Sequence, residues 1–118
     1  MATNYQRGRA FEYRTRNKLL DMGAAYVMRA AQSKGTFDLA AFFGWEFVGT
    51  PNERFPNVML VQCKRDGKLS KAEREKCIAV AKACGRAAWL AKAGPKGRGV
   101  VFVMLASDPK NDYTMEAK

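Results

Sequence analysis

Glu12, Asp38, Gln62 and Lys64 are the residues of this sequence whose types and positions could do chemistry together. Three carry oxygen donors and the fourth an ammonium. Such donors suit Mg²⁺, which takes near-octahedral oxygen coordination, keeps several waters and needs only one or two carboxylates to hold it. Beside an ammonium, the set is equipped for phosphodiester hydrolysis. A metal would polarise the phosphate and acidify an attacking water, and Lys64 would orient that water or balance charge in the transition state.

Each of these residues is out of place for its element. "VMLVQCKRDG", Val58–Gly67, opens with four apolar residues and then sets Gln62 and Lys64 where more would be expected. Alternation along a strand gives Leu60, Gln62 and Lys64 one face, and Val61 and Cys63 the other. The pair alone fits a cleft and a strand emerging into solvent equally well. Asp38, in "TFDLAAFF", opposes strand propensity and is costly to bury unpaired, unless it lies at an exposed edge or caps a turn. Glu12 projects within about 20° of Tyr5 and Leu19 on a helix of ~100° per residue, so it falls on the stripe meant for the core. A carboxylate there needs a cation, either a lysine or a metal.

The elements that must position them follow from periodicity and caps. Thr3–Met22 reads as a helix, with Thr3 and Gln6 as a capping box, Phe11, Thr15, Leu19 and Met22 at helical spacing, and Gly23 as the stop. Ala24–Ala30 and Thr36–Phe43 are expected strands around a turn at Gln32–Gly35, and Gly44–Asn57 a long hairpin connection to a third strand, Val58–Lys64. Ser70 and Glu73 form the capping box of a second helix running to about Cys84, ended by Gly85. Ala87–Ala93 and Val100–Leu105 are strands joined by "GPKGRG", which lacks the Gly-Lys-Ser/Thr ending of a phosphate loop and reads as a plain hairpin. Ser107–Lys118 reads as a polar tail. The order αβββαββ indicates a mixed α/β or α+β domain, and 118 residues make one domain.

Composition narrows the function classes. Lys and Arg number 21 against 11 acids, a formal charge of +10, and such a field favours nucleic acid over neutral or acidic partners. The chain has no histidine, which excludes Ser-His and Cys-His triads, any His general base and the usual Cys/His zinc sites. Cys63, Cys77 and Cys84 lack CxxC spacing and read as reduced core residues. No run approaches the ~18 apolar residues of a membrane span, and Met1–Asn4 leads into charged sequence without a signal-peptide core. A soluble, cytoplasmic protein is expected, of a size that would suit a phage or archaeal genome.

"FDL" followed after a hairpin by "VQCK" resembles the D…(D/E)xK signature of the PD-(D/E)xK nucleases. More narrowly, "RGRAFEYRTRNKLLDMGAAYVMRAAQSKGTFDLAAFF" resembles the opening of archaeal-type Holliday junction resolvases: a basic-Gly-x-x-x-Glu helix, an Arg closing the first strand, and a Ser-basic loop before the Asp. The resemblance implies a restriction-endonuclease-like mixed central sheet flanked by helices. It further implies a Mg²⁺-dependent homodimer, Mn²⁺ substituting, that cuts four-way DNA junctions in recombination and repair. Glu12, Asp38 and Gln62 would be metal ligands together with the Cys63 backbone carbonyl, and Lys64 the catalytic lysine. Arg29, Ser33 and Lys34 would contact the backbone near the scissile phosphate, with Arg7, Arg9, Arg65 and Lys68 as further DNA contacts. Phe37 stands where the family has Pro, and Gln62 where it has an acid. Two other readings are a nuclease of the same superfamily with another DNA target, and a non-catalytic basic module that binds nucleic acid.

Overall fold

The computed structural model describes residues 4–30, 36–43 and 57–115. Helix α1 (Asn4–Asp21) leads into strands β1 (Tyr26–Arg29), β2 (Leu39–Phe43) and β3 (Asn57–Cys63). Helix α2 (Lys71–Ala83) then precedes β4 (Ala88–Ala93), β5 (Val100–Met104) and the short β6 (Tyr113–Thr114). The six strands form one sheet in sequence order, antiparallel throughout except between β3 and β4. A parallel pair needs a crossover, and α2 supplies it. The expected mixed sheet flanked by helices is the architecture found.

Strand alternation divides the core between the two helices. Met59 and Val61 of β3, Ala91 of β4 and Phe102 of β5 pack with Phe11 and Leu19 of α1. Leu60 of β3, Leu90 of β4 and Val103 of β5 pack with Cys77 and Ala81 of α2. One helix therefore covers each face of the sheet. Leu19 is fully buried, and removing a side chain of its size from water contributes roughly 1.5–3 kcal/mol. Thr15, the buried polar residue of α1, donates its hydroxyl to the Phe11 carbonyl at 2.8 Å, which meets its hydrogen-bonding need within the helix.

The second capping box forms as expected. Glu73 N donates to Ser70 Oγ at 3.1 Å, and Ser70 N donates to Glu73 Oε1 at 3.3 Å. Gly85, at φ +70°, takes the left-handed position that ends α2. Thr3 of the first expected box, the 32–35 turn and most of the 44–57 connection lie outside the described residues.

The expected polar tail needs correction. Arg74 of α2 holds Asp112 through two parallel hydrogen bonds, Nη1 to Oδ1 at 2.7 Å and Nη2 to Oδ2 at 2.8 Å. Ala106 N also donates to Asp112 Oδ1, at 2.9 Å. This latch brings Tyr113 and Thr114 onto β5 as the sixth strand. Tyr113–Thr114 is too short for an alternation pattern to announce it.

Candidate active site

Asp38 stands at the entrance to β2, and local backbone geometry sets where its side chain goes. Its N–H donates to the Val61 carbonyl at 2.9 Å, although Leu39 is the register partner of Val61. Two residues of the incoming chain thus oppose one of β3. Such a bulge bends the strand and re-aims a side chain. Phe37 packs into the α2 cluster and Leu39 into the α1 cluster, while Asp38 Oδ2 accepts the Cys63 N–H at 2.8 Å. The carboxylate thereby caps a backbone donor at the end of β3.

Burial pushes the Asp38 carboxyl above its ordinary range. The Cys63 N–H opposes that rise, the charge of Glu12 adds to it, and Lys64 works against it. Glu12 is also within hydrogen-bonding reach of Asp38, so the two carboxyl groups crowd one another.

The Glu12 side chain is only 13% exposed, and it accepts a hydrogen bond from Arg29 Nε at 2.8 Å. The core stripe therefore does carry a carboxylate, and an arginine at the end of β1 pairs with it, a cation that sequence pattern alone does not suggest. Sequence separation hid this pairing, because the two residues meet only when α1 folds over the sheet. The Arg29 guanidinium lies 6.0 Å from the Tyr13 ring centre and that of Arg9 lies 5.9 Å from it, so Tyr13 sits between two cations.

Lys64 approaches from the other side. Its Nζ pairs with Glu73 Oε2 on α2 at 2.9 Å. The Glu73 hydrogen bond is the main reason the Lys64 pKa is raised; burial opposes it, and the charges of Asp38 and Asp66 assist. Lys64 in turn holds Glu73 below its ordinary value. Glu73 was legible in sequence only as a capping residue. Its second carboxylate oxygen fixes the ammonium, a role for which the chain carries no separate signal.

Gln62 sits opposite Leu90 in the β3–β4 register, on the Leu60 face of the strand. Its Oε1 is buried and has no hydrogen-bond partner among the described residues. Cys63 points to the α1 side. Burial first, and then Asp38, push its thiol up to about 12 and keep it neutral, opposed by a hydrogen bond with Thr15. The structure thus brings Glu12, Asp38 and Cys63 together, with Lys64 in electrostatic reach of Asp38. Gln62 leaves β3 on the α2 side. Among the described residues no three His, Cys, Asp or Glu side chains cluster as metal ligands, so two carboxylates and neutral oxygens are the donors at hand.

From the edge of this cluster an open cavity of about 850 Å³ extends from Cys63 and Lys64 past Arg65 and Asp66 to Arg7 of α1 and Gly97 beyond β4. It lies at the carboxyl ends of the parallel pair β3 and β4, where open α/β sheets commonly bind ligands. Of the expected DNA contacts, Arg7 and Arg65 line the cavity, Arg29 pairs with Glu12, and Arg9 flanks Tyr13. Lys68 is exposed and donates its backbone N–H to Asp66. Ser33 and Lys34 lie outside the described residues. No helix among the described residues is long and apolar enough to cross a membrane.

No protein-family model matches the chain, and no curated protein matches it. Among solved structures, the chain is similar to that of Hjc from Archaeoglobus fulgidus, a Holliday junction resolvase from an archaeal hyperthermophile. The superposition has a TM-score of 0.56 and 20% sequence identity, and it covers 93% of this chain and 84% of the other. At that identity the likeness establishes the fold.

Proposed function

We propose that this chain is a divalent-metal-dependent DNA endonuclease that cuts four-way junctions, acting as a homodimer. The observation that carries this reading is the crowding of Glu12 and Asp38 at the end of β3, with the charge of the Lys64 ammonium acting on Asp38. Two adjacent carboxyl groups, one with a raised pKa, are relieved by an added cation. The donor set fits Mg²⁺ or Mn²⁺, with Glu12 and Asp38 supplying charge and the buried, unpartnered Gln62 Oε1 a candidate neutral donor. The ion would supply polarisation of the scissile phosphate and an acidified water. Likeness of fold to a junction resolvase, and a +10 chain, support DNA as substrate.

The protein's own groups do the remaining work. Asp38 is held at the end of β3 by the Cys63 N–H, so its oxygen position is set before substrate arrives. Lys64 stays protonated against Glu73 and presents positive charge to the phosphoryl oxygens as charge builds on them. Arg29 neutralises Glu12 in the free protein and would contact phosphate beside it. Two such sites about a two-fold axis would make paired, symmetric cuts.

A second reading, a DNA-binding module without catalysis, draws on Gln62 standing where related nucleases carry an acid. One gel separates them. A synthetic four-way junction and its linear arms are incubated with and without Mg²⁺. Cleavage of the junction alone, and only with metal, is the expected result. Cleavage of all substrates would redirect the reading to another DNA target, and no cleavage of any would leave the binding module.

A further inference from the structure

The cavity beside the candidate site is walled partly by the turn between β4 and β5. "GPKGRG", Gly94–Gly99, is held in one shape. A Cβ on Gly94 would lie 2.3 Å from the Arg98 carbonyl oxygen, and Lys96 takes φ 58°, which a lysine rarely adopts. Arg14 of α1 donates to the Gly97 carbonyl at 2.9 Å, which ties the turn to the helix. Ala93 N donates to the Arg65 carbonyl at 3.0 Å, which ties the end of β4 to the segment after β3. Backbone strain of this kind persists where surrounding structure over-determines it, and it concentrates at binding sites.

Of the cations lining this cavity, Lys64 is paired with Glu73, and the two arginines are not consumed by acids. Arg7 and Arg65 have no ion pair among the described residues, and Arg65 Nη2 lies 3.9 Å from where a Cβ on Gly97 would sit. Asp66 is the acid in the lining, and its carboxylate already accepts the Lys68 N–H at 3.0 Å. Lys96 and Arg98, both exposed, stand on the turn above. An anion entering here meets guanidinium groups from two elements, and the cavity runs without a break to Lys64.

We propose that this cavity is a second phosphate subsite, in which Arg7 and Arg65 grip a phosphodiester of the same strand next to the one placed at Lys64. The β4–β5 turn fixes how far the strand can travel before it turns away. The inference rests on the nucleic-acid reading above. It adds that contact on this side is local rather than spread over the whole basic surface. Guanidinium forks match phosphate geometry.

The test measures binding of a four-way junction to the full chain by fluorescence anisotropy between 50 and 200 mM salt, in chelator so that metal-dependent cutting is off. Arg7→Ala and Arg65→Ala should each weaken binding about three- to tenfold and flatten the log–log salt slope by about one. Lys110→Ala, an exposed cation remote in sequence from these walls, should change neither. Wild-type affinity and slope in both arginine variants would overturn the subsite, as would equal losses in Lys110→Ala. Polyglutamate competing as well as an oligonucleotide of equal charge would overturn phosphate as the ligand. Failure of the nuclease reading shows separately, as a wild type that binds junctions in chelator but never cuts them when Mg²⁺ is restored.

Discussion

Asp38 and Asp112 do the same local job in two regions of the molecule and arrive at opposite electrostatic states. Each accepts a backbone N–H, from Cys63 and Ala106 respectively. Asp112 also takes both ends of the Arg74 guanidinium, which holds its carboxyl below the ordinary range. Asp38 instead meets burial and the Glu12 carboxylate, and its carboxyl is raised. A structural aspartate is fully compensated by the protein. Asp38 is not, and an under-compensated, part-buried carboxylate is a candidate for work on a cation or substrate.

The largest expected effect comes from separating the two by mutation. Asp38→Asn should lower junction cleavage by about 100-fold or more while leaving thermal stability at pH 7 unchanged or higher, because it removes a crowded charge. Arg74→Ala should do the reverse: stability falls by about 1–3 kcal/mol as Asp112 loses its partner, and cleavage at 25 °C persists. Thermal melts and initial rates on both variants decide this. A destabilised Asp38→Asn that still cuts would invert the comparison.

Proton linkage sharpens the same contrast. The folded-state pKa of Asp38 is above the ordinary 3.8, so its contribution to stability is fully present below that value and is lost as pH rises through the raised pKa. For Asp112 the folded value is depressed, so stability is present above 3.8 and is lost as pH falls through the lowered pKa. The melting temperature of wild type relative to Asp38→Asn should therefore fall as pH rises from 3.8 towards neutrality. Saturating Mg²⁺ should recover that difference in wild type alone, since a ligand that binds the folded state stabilises it. A metal-induced rise of equal size in Asp38→Asn would place the ion elsewhere.

Glu73 offers a smaller, graded test of how the site is held. Glu73→Gln keeps a capping-box oxygen for Ser70 but removes the charge that raises the Lys64 pKa. The ammonium would then lose its proton at lower pH, and the alkaline limb of the cleavage profile should move to lower pH, with the loss of rate confined to strongly alkaline solution, because a lysine at its ordinary 10.5 is still protonated near neutrality, and with little change in melting temperature. An unmoved limb would detach Lys64 from the rate.

These contrasts also explain which parts of the molecule were legible in its sequence. Caps and periodicity act locally, so α1, α2 and five strands could be read from neighbouring residues, and Ser70 with Glu73 formed the expected box. The misplacement of Glu12 and Asp38 was legible for the same reason, since each breaks the pattern of its own element. Their compensation was not. Arg29 reaches Glu12 across 17 positions and Arg74 reaches Asp112 across 38, distances at which residue type says nothing about contact. The offset at Asp38 is likewise a property of two strands together, and it is this offset, not alternation along β2, that decides where the carboxylate points.

Gln62 is the finest test, because it is neither compensated like Asp112 nor crowded like Asp38. A buried amide oxygen without a partner costs about 1–3 kcal/mol relative to one that is satisfied. Gln62→Leu, close in size, removes the orphan, so it should raise stability by about 1 kcal/mol. If the oxygen serves the proposed metal site, the same change should raise the Mg²⁺ concentration for half-maximal cleavage several-fold. Gln62→Glu should lower that concentration, since a charged donor binds the ion more strongly than an amide. A gain in stability joined to a weaker metal response is the signature of a residue kept for function at the expense of folding. A Leu variant that is more stable and has an unchanged metal requirement would show that Gln62, on the α2 side of β3, takes no part, leaving Glu12 and Asp38 as the whole of the charged donor set.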